Sequence, residues 1–71
     1  MLLTNYDLGG DIVNLRDARK QKNYTQEQLA IMAGVGRTTI VMIESGVNKP
    51  SVPLAKKLGE LLDVDWTIFF D

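Results

Sequence analysis

Residues 34 to 46 read GVGRTTIVMIESG. The inner TTIVMI, residues 38 to 43, is β-branched and apolar, a composition that favours a strand. No other segment of the chain sustains period-2 alternation, so a strand here has no mate and leaves its backbone donors and acceptors unpaired. A helix from Gly36 or Arg37 to Glu44, ended by Ser45 and Gly46, satisfies those groups internally. The mediocre propensity of Thr, Ile and Val costs it only roughly a few tenths of a kcal/mol per residue. Helical spacing sets Ile40 and Ile43 on one face and turns Arg37, Thr38, Val41 and Met42 towards the other.

Upstream, TQEQLAIMAG opens with a capping box, because Thr25 can accept from the first turn and Gln28, three residues on, can reach back to it. Leu29, Ala30 and Ala33 form the inner face of this helix of about eight or nine residues, and Gly34 stands where a C-terminal cap needs positive φ. Earlier still, Asp11 can cap a helix with Ile12, Leu15 and Ala18 at helical spacing, fading near Asn23. Residues 1–10 form an N-terminal arm with Leu2, Leu3, Tyr6 and Leu8, flexible or packed on another subunit. Residues 11–71 form the single folded domain.

Downstream, VNKPS is a loop, and Ser51 caps a helix with Pro53 in its first turn and Leu54, Ala55, Leu58, Leu61 and Leu62 as a broad apolar stripe. Gly59 inside that helix costs about 1 kcal/mol relative to alanine and implies a close contact. Val64 and Asp65 begin a last short helix bearing Trp66, Phe69 and Phe70. The expected architecture is all-α, a compact bundle of five short helices with tight connections.

Composition narrows the function. Seventy-one residues with 45% hydrophobic content support one core, and the absence of cysteine and histidine removes disulfides and the usual zinc ligands. No segment approaches a membrane span and the first ten residues lack a secretory signal, so the expected location is cytoplasmic. Serines are limited to Ser45 and Ser51, both readable as helix-end residues, as are Asp63 and Asp65; nothing indicates an enzyme, a cofactor, a metal or a small-molecule ligand. Net charge is −1, yet residues 12 to 57 hold all eight basic side chains against three acids (Asp17, Glu27 and Glu44), and the other six acids flank that segment. This is either scattered solvated charge or a basic central face with an acidic end pointing away from a polyanionic partner.

Taken together, TQEQLAIMAGVGRTTIVMIESGVNKPS resembles the lambda-repressor-like helix-turn-helix family of Cro/XRE type transcriptional regulators, and the likeness runs from about Leu15 to Phe70. Physical reasons stand beside the resemblance: two helices crossing through a short turn need a small residue at closest approach and a glycine in the turn, which Ala30 and Gly34 supply.

The resemblance implies that residues 37–44 form a recognition helix lying in the major groove of double-stranded DNA. It puts Arg37, Thr38, Val41 and Met42 at base-reading positions and Gln26, Thr39, Ser45, Asn48 and Lys49 at backbone-contacting ones. It further implies an ion pair between Arg19 and Glu44. Family members often have a side-chain cap where this chain has Gly36, and polar residues where it has Val41 and Met42. The implied function is sequence-specific regulation, repression before activation, by a homodimer on a palindromic operator. Trp66, Ile68, Phe69 and Phe70 are the candidate dimer interface, or else they complete the monomer's core. The competing reading is a protein-interaction module of the same fold, such as an antitoxin, antirepressor or repressor cofactor, using Val41 and Met42 to bind a protein partner.

Overall fold

Asn14 opens the first helix. The structure, a computed structural model, describes Ile12 and residues 14–70, and in it α1 spans Leu15–Gln21, with the Asn14 side chain accepting from the Asp17 N–H at 2.9 Å. Ile12 lies outside the helix, which corrects the expected start; Asp11 and the arm of residues 1–10 lie outside the described residues. The apolar spacing of Ile12 with Leu15 extends the helical pattern upstream, but Asn14 is a strong capping residue and sets the boundary. Asn23, at φ 61°, turns the chain after α1.

Helix α2 spans Gln26–Ala33. Its capping box is complete: the Gln28 N–H donates to Thr25 Oγ1 at 3.0 Å, and the Thr25 N–H to Gln28 Oε1 at 2.8 Å. Gly34 takes φ 73° and α3 follows at Arg37–Glu44, so the connection is Gly34 to Gly36. Helix α4 spans Val52–Leu62, with Ser51 Oγ accepting from the Leu54 N–H at 3.3 Å and Asp63 ending it at φ 59°.

The final segment, Trp66–Phe70, is a 3-10 helix, so the described residues form four α-helices and one 3-10 turn rather than five α-helices. Five residues are too few to repay an α-helical nucleus. Asp65 Oδ1 starts it, accepting from the Thr67 N–H at 3.0 Å and from the Thr67 hydroxyl at 2.8 Å; the two bonds hold the Asp65 carboxyl below its ordinary range, the backbone donor contributing more.

The core joins all five elements: Leu15 and Ala18 from α1, Leu29 from α2, Ile40 from α3, Leu58 and Leu62 from α4, and Phe69 from the 3-10 helix are buried. Helix α2 packs chiefly on α3 and also on α4, α4 carries the 3-10 helix, and α1 reaches α3. Phe69 therefore belongs to the monomer's own core, whereas Trp66, Ile68 and Phe70 are half-buried around it. Trp66 is further engaged by Phe70, edge-on at 6.0 Å, and by Lys56, whose Nζ lies 5.5 Å from the ring centre. No described helix is long and apolar enough to cross a membrane.

Gly59 explains itself through its neighbours. A Cβ at this position would stand 2.9 Å from the Val64 carbonyl oxygen and 3.0 Å from Trp66 Cβ. Gly59→Ala should therefore lower the melting temperature: the clash, typically about 1–3 kcal/mol for overpacking, outweighs the helix-propensity gain of about 1 kcal/mol. A thermal melt of the variant checks this, and a rise in melting temperature would show that the 63–66 connection yields freely.

Candidate nucleic-acid interface

Helix α3 presents two unlike faces. Ile40 is fully buried and Ile43 half-buried, which anchors the helix to the core. On the outer side Arg37 and Thr38 are exposed, Thr39 is half-exposed, and Val41 and Met42 are 38% and 37% exposed.

The start of α3 is locally poor. Gly36 adopts an extended conformation and gives no side-chain cap, no acid lies in the first turn, and Arg37 puts a cation at the positive end of the helix. Each of these choices weakens the helix, and none is compensated within α3. Departures of this kind are expected where a surface is kept for binding.

The end of α3 is, by contrast, tightly held. Arg19 grips Glu44 with two bonds, Nε to Oε2 at 2.6 Å and Nη2 to Oε1 at 3.1 Å, and its Nη1 donates to the Tyr24 carbonyl at 2.8 Å. Gln26 Nε2 adds a bond to Glu44 Oε1 at 3.1 Å. Both charged side chains are buried, with 11% and 5% exposure for Arg19 and Glu44. One carboxylate thus ties α1, α2 and α3 together. Bidentate, charge-assisted geometry of this kind fixes orientation as well as distance.

This network gathers other polar groups beside α3. Gln26 and Arg19 are shared by two open grooves, one lined also by Tyr24, Thr25, Glu27 and Arg37, the other by Arg16, Val41, Glu44 and Ser45. Arg16 is exposed and stands outside the site residues that the resemblance implies. The signal was present in the spacing: Arg16 precedes Arg19 by three residues, one helical turn, so pinning Arg19 to Glu44 brings Arg16 to the same side.

The loop after α3 is turned back by Gly46 at φ 82°. Ser45 Oγ donates to the Met42 carbonyl at 3.1 Å, which commits its only O–H, and Asn48 Nδ2 donates to Met42 Sδ at 3.3 Å. Lys49 is exposed. Of the positions expected to contact the DNA backbone, Gln26, Ser45 and Asn48 already have intramolecular bonds, while Thr39 is half-exposed and Lys49 exposed. The acids Glu60, Asp63 and Asp65 are carried by the end of α4 and the start of the 3-10 helix.

Two helices packed on each other through a glycine turn, the second with an outward face, define a helix-turn-helix unit. A helix-turn-helix family model matches residues 15–69. The chain belongs to this family, in its Cro/C1 type. It is 51% identical over 57 residues to the uncharacterized HTH-type transcriptional regulator YqaF of Bacillus subtilis, covering 80% of this chain and 75% of that protein. Similarity to the HTH-type transcriptional regulator SlrR of the same organism is 41% over 58 residues, 80% of this chain and 38% of that longer protein. An uncharacterized HTH-type transcriptional regulator of Archaeoglobus fulgidus is 41% identical over 49 residues, 69% of each chain.

Proposed function

We propose that this protein is a sequence-specific DNA-binding regulator that occupies a palindromic operator as a homodimer and represses transcription, acting in the cytoplasm. The observation that carries the reading is α3 itself: buried Ile40 and the Arg19–Glu44–Gln26 network hold it rigidly while Arg37, Thr38, Val41 and Met42 face outwards. A rigid helix with polar and apolar groups on its outer face suits the major groove, where arginine reads guanine and apolar groups meet thymine methyls. Arg16, Thr39, Lys49 and the second N–H of Gln26 supply backbone contacts around it. Two copies joined through Trp66, Ile68 and Phe70 would set their recognition helices about 34 Å apart, one turn of DNA. The likeness to proteins named transcriptional regulators supports the same reading.

A second reading has one observation in its favour. Val41 and Met42 are 38% and 37% exposed on the face that would otherwise read bases, and such a pair could serve a protein partner. Salt separates the two. If Arg16 and Lys49 of both copies each meet a phosphate, log affinity for DNA should fall with log salt at a slope of about −3 to −4, roughly a hundredfold loss between 50 and 200 mM. Arg16→Ala should weaken binding to all sequences alike and reduce the slope by about 1 for each copy. A DNA affinity indifferent to salt, or an unchanged slope in the variant, contradicts these contacts, and tight salt-insensitive binding of a protein instead supports the second reading.

A further inference from the structure

Four bonds from the loop that follows α3 meet at one residue of that helix. The Met42 carbonyl accepts from the Val47 N–H at 3.0 Å, the Asn48 N–H at 3.3 Å and the Ser45 hydroxyl at 3.1 Å. Its thioether accepts as well, from the Asn48 side-chain amide at 3.3 Å. Met42 lies four residues after Thr38 and so on the same outer face of α3, where it is 37% exposed.

Methionine is unbranched and has three rotatable bonds, which makes it adaptable and poorly specifying unless something holds it. Fixing Sδ leaves the terminal methyl only one bond of freedom. Thioether sulfur is a weak acceptor, so the amide bond is no strong contributor to folding. Its consequence is conformational: a side chain restrained before binding has less freedom to lose when it meets a ligand.

We infer that Met42 reads a thymine 5-methyl group with its own methyl, and that Asn48 is a positioning residue for that contact rather than a phosphate ligand. The inference rests on the DNA-binding reading above and adds to it a defined base class, one T·A pair in each half-site. The Asn48 amide is already directed at sulfur, and a phosphate contact through that N–H requires breaking the bond. Because the loop backbone is held separately by the Val47 and Asn48 N–H groups, removing the Asn48 side chain leaves the turn in place.

The test uses an operator recovered by selection from random duplex DNA, with each thymine replaced in turn by uracil, which removes only the 5-methyl group. The wild-type protein should lose about fourfold in affinity at one thymine of each half-site, the fold-change that burying one methyl represents. Met42→Ala should bind the thymine and uracil operators equally. Asn48→Ala should lose most of the thymine preference while binding the uracil operator as the wild type does. In a Met42→Leu background, which offers no acceptor, Asn48→Ala should have no further effect. Equal weakening of both operators by Asn48→Ala would overturn the positioning role in favour of a backbone contact, and a wild type without any methyl-sensitive thymine would overturn the role of Met42. Failure to select any operator would instead contradict the DNA-binding reading beneath it.

Discussion

Replacing Glu44 with leucine should destabilise the domain by about 3–5 kcal/mol, the cost of leaving one member of a buried pair without its partner. Arg19 would keep its bond to the Tyr24 carbonyl but lose both contacts to carboxylate while only 9% exposed. Against a total stability of about 5–15 kcal/mol, such a loss lowers the melting temperature by more than about 10 °C. Arg19→Met alone should cost less than Glu44→Leu, since Gln26 still donates to Glu44. The double variant should regain much of the loss, because a buried ion pair replaced by apolar residues of similar size is often neutral. Additive losses in the melts of the three variants would contradict direct coupling. Recovery of stability need not restore function: without Glu44, Gln26 has no acceptor on α3, and DNA affinity of the double variant should stay below that of the wild type.

Arg37→Ala should have the opposite profile. Its side chain is exposed at the first residue of an uncapped helix, where a cation opposes the helix dipole, so its removal should leave the melting temperature unchanged or slightly raised. DNA recognition should suffer instead. A bidentate arginine–guanine contact discriminates by about 1–3 kcal/mol, so the preference at one G·C pair should fall by roughly 5- to 150-fold. Competition binding with single base-pair substitutions at each position measures this, with a melt of the same variant to exclude unfolding. A variant that lost stability but kept the base preference would reverse the role assigned here.

Much of the fold could be read from local chemistry. Thr25 with Gln28, Gly34, and Ser51 with Pro53 each mark a helix boundary through the bonds they make or the φ they permit, and the structure has all three. The strand-like TTIVMI is helical because tertiary packing of Ile40 outweighs a small propensity deficit. Apolar spacing from Ile12 places the start of α1 too early, because the helix begins only at Leu15, after the Asn14 cap. That Phe69 faces the core while Ile68 and Phe70 are half-buried follows from the packing of the 3-10 helix on α4, information that no single residue carries. At the surface, spacing could group Arg37, Thr38, Val41 and Met42, but the closure of Asn48 onto Met42 depends on the turn at Gly46 and appears only in three dimensions.

Selection of bound sites from random duplex DNA at moderate salt tests the central claim most directly, carried out in parallel with wild type and Arg37→Ala. The wild-type protein should enrich an imperfect palindrome with half-sites one helical turn apart and a fixed guanine in each half. The variant should enrich the same spacing without that guanine. No enriched palindrome from the wild type would contradict operator binding, and an unchanged guanine with the variant would contradict base reading by Arg37.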